Sequence, residues 1–446
     1  MSAPWRTRPI VLQRPKRSGT TVSVRIEPGS ASPYLKAGVL RTTYTEVDLD
    51  GIPDALLVLP ALGTVITVAM AAGVPVEARE VDAEFAAGVA ASVPLWQHLH
   101  PSFRTAGFEL RADPVSTAPR LGGGDMLLWS GGLDSTASLI EHAGTIRRLF
   151  TVWGADIQLG DAALWGALNS HFDVDPLAGS LPRVTARSNM RHFPVLLTLA
   201  HDFLGLGESW WGRVQHGLAL AGLAAPAAAA LGASTLIRAS SFSPDSHQAT
   251  GSMPELDDLT RWAGVRVRHE GFELSRQAKI SQRLAPYLAD GGRLNLAVCY
   301  RRGRHDAERG VNCGDCEKCL RTAAGLLAAG IDPASVGLPI VEGVYRRWAE
   351  KLATGLLLTP QQLPFWREVA ADLIGGTQVP AEPEAREFLA AVGAEGALLP
   401  KPPRTDQEEF ARRYRATRRA ERWSRLRATL GEARRGVRRR AAAFTG

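Results

Sequence analysis

The stretch Ser130-Gly131-Gly132-Leu133-Asp134-Ser135, entered directly from the apolar run Met126-Leu127-Leu128-Trp129, constrains this chain more than any other. An apolar run that stops at two glycines predicts a buried strand ending in a tight turn, and Thr136 to His142 reads as the helix beyond it. Such a turn presents backbone N–H groups at the positive end of a helix, and glycine lets anionic oxygens approach closely. The expected result is a phosphate cradle. No lysine follows the glycines, so it differs from the loop that grips a γ-phosphate.

Beyond the cradle, apolar runs at Leu149 to Trp153, Val184 to Ala186, Thr235 to Ala239 and Val265 to Arg268 alternate with helical stretches. That alternation predicts an α/β fold with a doubly wound parallel sheet, whose ligands bind at the carboxyl ends of the strands. Polar residues just past those ends are therefore site candidates. Asp156, read from its residues alone, is an ordinary helix or turn cap. Asn189-Met190-Arg191 and Gln215-His216-Gly217 face the same edge, with His216 open to a structural role. The acidic loop from Gly251 to Asp258 reads as a ligand contact or as a solvated loop.

Length and composition divide the rest. A chain of 446 residues suits two or three domains. Residues 1–120 read as an N-terminal α+β domain, with strands at Thr21 to Ile26 and Thr43 to Leu49, an apolar run at Ala55 to Leu59 and a helix at Val81 to Val93. Pro114 to Gly124 forms the joint to residues 121–330, the cradle domain. Residues 331–405 read as a helical extension (Val341 to Leu358, Pro360 to Ile374, Pro383 to Val392), and residues 406–446 as a basic helix. Thirteen arginines between Arg412 and Arg440 face two glutamates, so this tail carries +11 and the body −4 of the net +7. The tail is a candidate contact for nucleic acid, or a solvated amphipathic helix that docks on an acidic protein partner or a membrane. No long apolar run or secretory leader is present, and the expectation is a cytoplasmic protein that is not an integral membrane protein.

All four cysteines, Cys299, Cys313, Cys316 and Cys319, fall in one region, the first directly after Leu294 to Val298, which reads as a strand of the catalytic sheet. Cys-x-x-Cys-x-x-Cys brings three thiolates around one ion through knuckle turns, and Cys299 completes a tetrahedral set. The closed set predicts structural zinc, with an iron–sulfur cluster or unligated core cysteines as the alternatives.

Ser-Gly-Gly-x-Asp-Ser resembles the PP-loop of the adenine nucleotide α-hydrolase superfamily, of HUP-like fold, whose members split ATP into AMP and pyrophosphate. With the downstream cysteines, residues 120–330 resemble the 7-cyano-7-deazaguanine synthase family. That resemblance implies ATP, Mg2+ and Zn2+ as cofactors. Ser130, Gly131, Gly132, Leu133, Asp134 and Ser135 would hold the nucleotide phosphates, with Asp156 near the adenine. Asp134, Ser135, Arg276 and Lys279 are the catalytic candidates, Asp134 organising magnesium. Arg276 stands where the family carries a lysine, and Lys279 follows one turn on, so both are candidate phosphate cations. Pro244-Asp245-Ser246-His247 keeps half of the family's substrate motif. The implied reaction activates a carboxylate or amide of a small-molecule, deazapurine-like substrate, and ammonia or an amine then displaces AMP. If all four cysteines hold metal, no thiol remains for sulfur transfer or for splitting glutamine. Alternatives are a nucleic-acid-modifying enzyme using the basic tail, and a nucleotide-binding regulator without turnover.

Overall fold

The computed structural model describes residues 7–401 except 121, 206–207, 247, 300–310, 375–379 and 381, and beyond them Arg412. The expected basic helix, His247, Tyr300 and the charged insert between the first two cysteines therefore lie outside the described residues. The architecture is α/β around one large, mostly parallel sheet. Its strands are β1 (Ile10–Leu12), β2 (Lys16–Ser18), β3 (Thr21–Glu27), β4 (Gly38–Tyr44), β5 (Val76–Asp82), β6 (Leu110–Val115), β7 (Asp125–Leu128), β8 (Ile146–Trp153), β9 (Arg183–Ser188), β10 (Thr235–Ala239), β11 (Arg261–Trp262) and β12 (Val265–Glu270). They lie in the order β11-β12-β10-β7-β8-β9-β4-β3-β1-β5-β6, with β2 paired to β3.

The five strands β12, β10, β7, β8 and β9 run parallel to one another. From β7 the chain proceeds outward through β8 and β9, then returns to the other side of β7 as β10 and β12. The strand order thus reverses at β7, the topological switch point where a crevice opens beyond the carboxyl ends. Buried Met126 and Leu127 hold β7 in the middle of the sheet, as a fully covered parallel strand requires.

The N-terminal part continues the same sheet. β4 pairs antiparallel with β9 through Thr42↔Ser188, Thr43↔Arg187 and Tyr44↔Ala186, and the buried Thr42 hydroxyl donates to Ser188 Oγ at 3.0 Å. Behind the sheet the helix Leu59–Ala72 packs on the helix His216–Ala230, with bare glycines where the two touch. A Cβ on Gly63 would lie 2.5 Å from the Leu218 carbonyl oxygen, and one on Gly222 2.5 Å from that of Leu59. One core cluster joins residues from both sides of the Pro114 to Gly124 joint.

Three local expectations are corrected. The strand expected to Leu49 ends at Tyr44, because the chain swings away through Glu46 at φ 55°. The run at Ala55 to Leu59 is helical and leads into Leu59–Ala72, buried on nearly every side. With no polar face it shows no 3.6-residue period, and its Val-Ile-Thr-Val centre imitates a strand. Val81 and Asp82 close β5, and Asp82 then caps the helix Ala83–Leu99 by accepting from the Phe85 N–H at 3.1 Å.

The C-terminal helices Val344–Ala353, Leu363–Ile374 and Pro383–Gly393 close over a second core that includes all four cysteines. The stretch expected to be helical to Leu358 instead ends in the short strand Leu356–Leu358, parallel to Leu398–Pro400. Among the described residues no helix is long and apolar enough to cross a membrane.

Candidate functional site

The loop after β7 opens a cleft of about 480 Å³ at the switch point. Ser130, Gly132, Leu133, Asp134 and Ser135 line it, as does Asp156 from the turn after β8. Gly131 faces the protein instead. At φ 70°, a Cβ there would lie 2.5 Å from the Phe172 ring, and the Gly131 carbonyl accepts from the Ala297 N–H at 2.7 Å. The helix Leu133–Glu141 begins at Gly132 with no side-chain cap, so its first-turn N–H groups remain available to a ligand. Ser135 Oγ donates to the Gly132 carbonyl at 3.1 Å, and Ser130 Oγ accepts from the Gly132 N–H at 3.3 Å, which holds the loop in shape.

Cations surround Asp134. Arg276 Nη1 lies 3.5 Å and Lys279 Nζ 3.8 Å from its carboxylate, and the Ser241 hydroxyl donates to Oδ2 at 3.0 Å. Burial alone would raise this carboxyl, but Arg276, Lys279 and Lys318 outweigh burial and hold it below the ordinary range. Arg276 lines the cleft, its guanidinium also 5.4 Å from the Phe365 ring. Lys279 is 1% exposed and sits behind Asp134, donating to the Ser240 carbonyl at 2.6 Å. Burial lowers its ammonium below the usual lysine range, with Asp134 opposing. The two candidate cations thus divide the work, one open to a ligand and one beneath it. Asp134 Oδ1 is buried without a hydrogen bond.

Aromatic rings form the rest of the wall. Trp165 lines the cleft and stacks on Trp153 at 5.5 Å and 2°. Trp211 also lines it and donates through Nε1 to Asp156 at 3.1 Å, while the Arg191 guanidinium stacks 4.2 Å from the Trp211 ring. His216 borders the cleft with Nδ1 3.2 Å from the Trp211 carbonyl oxygen, and burial pushes its imidazole down to about 4. Asn189 faces away: its side chain bonds the backbone of Arg41 and Val39 at 2.8 and 3.1 Å. Asp245 is exposed on the turn Pro244–Ser246.

The cysteines meet as one set. All four sulfurs lie within 4.8 Å of one another, with Cys299–Cys316 at 3.8 Å, Cys313–Cys319 at 3.9 Å and Cys316–Cys319 at 3.5 Å. Four sulfurs about 2.3 Å from a tetrahedral centre would stand roughly 3.8 Å apart, so the set can hold one metal ion such as zinc. Backbone N–H groups of Cys316 and Asp315 point at Cys313 Sγ from 3.2 and 3.4 Å, as knuckle turns require. Gly314 turns the knuckle at φ 64°, where a Cβ would lie 2.4 Å from the Pro339 carbonyl oxygen. The run Leu294 to Val298, expected as a strand of the sheet, is irregular chain laid against the cradle, because its backbone is taken by Gly131, Val336 and Asn312.

No protein-family model, curated protein or solved structure matches this chain.

The structure adds residues that sequence spacing does not reveal. At the ends of β10 and β12, register partners Arg238 and His269 both border the cleft, and both hold Asp257 from the acidic loop. His269 Nδ1 lies 2.7 Å from Asp257 Oδ2, the two side chains each 3% exposed, and Ser252 Oγ donates to the same oxygen at 3.0 Å. Burial would raise Asp257, yet Arg238 and His269 keep it ionised. A carboxylate only accepts, so His269 Nδ1 carries a proton toward Asp257. The acidic loop is therefore no solvated loop at Asp257. Asp257 and His269 stand twelve positions apart, a spacing that carries no signal.

Proposed function

We propose that the chain binds ATP in this cleft and splits it into AMP and pyrophosphate to activate a carboxylate or amide oxygen of a small, flat substrate. The observation that carries the reading is the uncapped Ser-Gly-Gly turn at the switch point, with three cations gathered at its helix. Pyrophosphate would lie on the first-turn N–H groups and the hydroxyls of Ser130 and Ser135, with Arg276 over it. The adenine fits toward Asp156 and the tryptophan wall. Among the described residues Asp134 is the carboxylate at the helix of this loop, already balanced by cations, so magnesium would arrive on ATP and be steadied by Asp134 rather than caged by the protein.

In the first step the substrate oxygen bonds to the α-phosphorus as the bond to the β-phosphate oxygen breaks, and pyrophosphate leaves. Fixed N–H groups and cations stabilise that charge without reorganising. In the second, an amine or ammonia attacks the activated carbon and AMP departs with the substrate oxygen. His269, oriented by Asp257, accepts the proton that the nitrogen sheds. Its strand is two places from β7, about 10 Å at the usual spacing, which suits an acceptor beside the nucleotide. The four thiols would hold zinc in a closed, structural site.

The test uses ATP labelled in its α-phosphate, ammonium and a deproteinised cell extract as the acceptor source. Labelled AMP with stoichiometric pyrophosphate is expected. Turnover to ADP and phosphate would overturn the reading.

A further inference from the structure

We propose that Lys318, carried between two metal-binding cysteines, is a pyrophosphate ligand, so that occupancy of the cysteine site sets the affinity for nucleotide. The inference rests on the ATP reading above and deepens it. Cys316 ends the knuckle and is also the N-cap of the helix Glu317–Ala328, so Lys318 sits in the first turn with a ligand cysteine on either side at Cys316 and Cys319. Its side chain lines the cleft with Ser130, Asp134, Ser135 and Arg276. Its charge, like those of Arg276 and Lys279, acts on Asp134. Lys318 and Arg276 thus bring positive charge to the edge of the cleft where a pyrophosphate would lie.

A second contact, independent of the lysine, joins the same two sites. Ala297, two residues before Cys299, donates its N–H to Gly131 of the cradle at 2.7 Å. Asn312, one residue before Cys313, ties that arm to the other. Its Oδ1 accepts from Val298 at 2.9 Å and Cys299 at 3.3 Å, and its Nδ2 donates to Leu296 at 2.6 Å and Gly337 at 2.8 Å. The metal would thus close both arms of a clamp, one gripping the cradle backbone and one presenting a cation to the phosphates. Without it, the Asn312 hydrogen bonds alone are left to hold two chain segments 14 residues apart, and the lysine loses its fixed approach.

The experiment measures binding of ATP with magnesium, and of inorganic pyrophosphate, to the full chain by calorimetry, with zinc content read in every sample. The expectation for Lys318→Gln is full zinc content with affinity for both ligands weakened at least tenfold, and for Lys318→Arg affinity near that of the parent. Chelation should weaken binding at least as much, and zinc alone should restore it. Unchanged affinity in Lys318→Gln, or unchanged affinity after zinc removal, would overturn the proposal. Loss of zinc from Lys318→Gln would do the same by making the lysine structural. A parent protein that holds zinc but binds neither ligand would instead overturn the ATP reading.

Discussion

At the scale of single residues, the site depends on groups whose chemistry is set by what surrounds them. Gly131 occupies left-handed backbone with Phe172 against its missing Cβ, so Gly131→Ala adds about 1–2 kcal/mol of backbone strain and a clash. Lower thermal stability and weaker ATP binding are expected together. His269→Gln and Asp257→Asn should leave ATP affinity unchanged and depress amine transfer by roughly a hundredfold or more, the usual weight of a general base. Equal transfer rates in variant and parent would remove His269 from the mechanism. Two other histidines contribute to acid sensitivity. Burial pushes both His100 and His216 down to about 4 from the ordinary 6.5. Between those values the unfolded chain takes protons that the folded chain refuses, so stability is present above pH 6.5 and falls as pH drops toward 4. Urea midpoints at pH 7 and pH 5 should differ accordingly. His100→Phe, which keeps the ring stack with Trp96 and Phe103, should narrow that difference.

At the scale of elements, the cysteine set is where irregular chain becomes ordered. Leu294 to Val298 forms no strand, and its position depends on Asn312, Gly131 and Val336 rather than on a ladder. The helix Glu317–Ala328 starts at Cys316, and Trp366 of the C-terminal helices donates to Glu317 at 2.8 Å. Cys316→Ser should therefore release a segment much longer than its neighbours. Hydrogen exchange is expected to rise from Leu294 through the helix Leu363–Ile374, while β7 to β10 remain protected. Exchange confined to the cysteine turns would show that the C-terminal helices stand without the metal.

At the scale of the whole molecule, the sheet does not stop at the joint near residue 120. The ladder between β4 and β9 and the glycine contact between Leu59–Ala72 and His216–Ala230 make the N-terminal part cover for the cleft-bearing part. Residues 121–446 expressed alone would expose β9 as an open edge and strip the apolar face of His216–Ala230. The expected outcome is an aggregating fragment, rescued by co-expression of residues 1–120. A monomeric, cooperatively melting fragment would show that the shared sheet is dispensable.

The glycine turn that ends β7, the parallel strands around it and the cysteine set were all legible in the sequence, because each depends on neighbours in the chain. A strand running into Ser-Gly-Gly and three cysteines within seven positions specify their geometry through local backbone. The tertiary structure decided what local pattern does not encode. A helix buried all round, Leu59–Ala72, has no polar face to mark its period. The sharing of labour between Arg276 and Lys279 depends on which reaches open space beside Asp134. The pairing of Asp257 with His269, and the delivery of Lys318 to the cleft, arise where separate strands, loops and helices converge. Burial and charge compensation act there across distances in sequence that no motif spans.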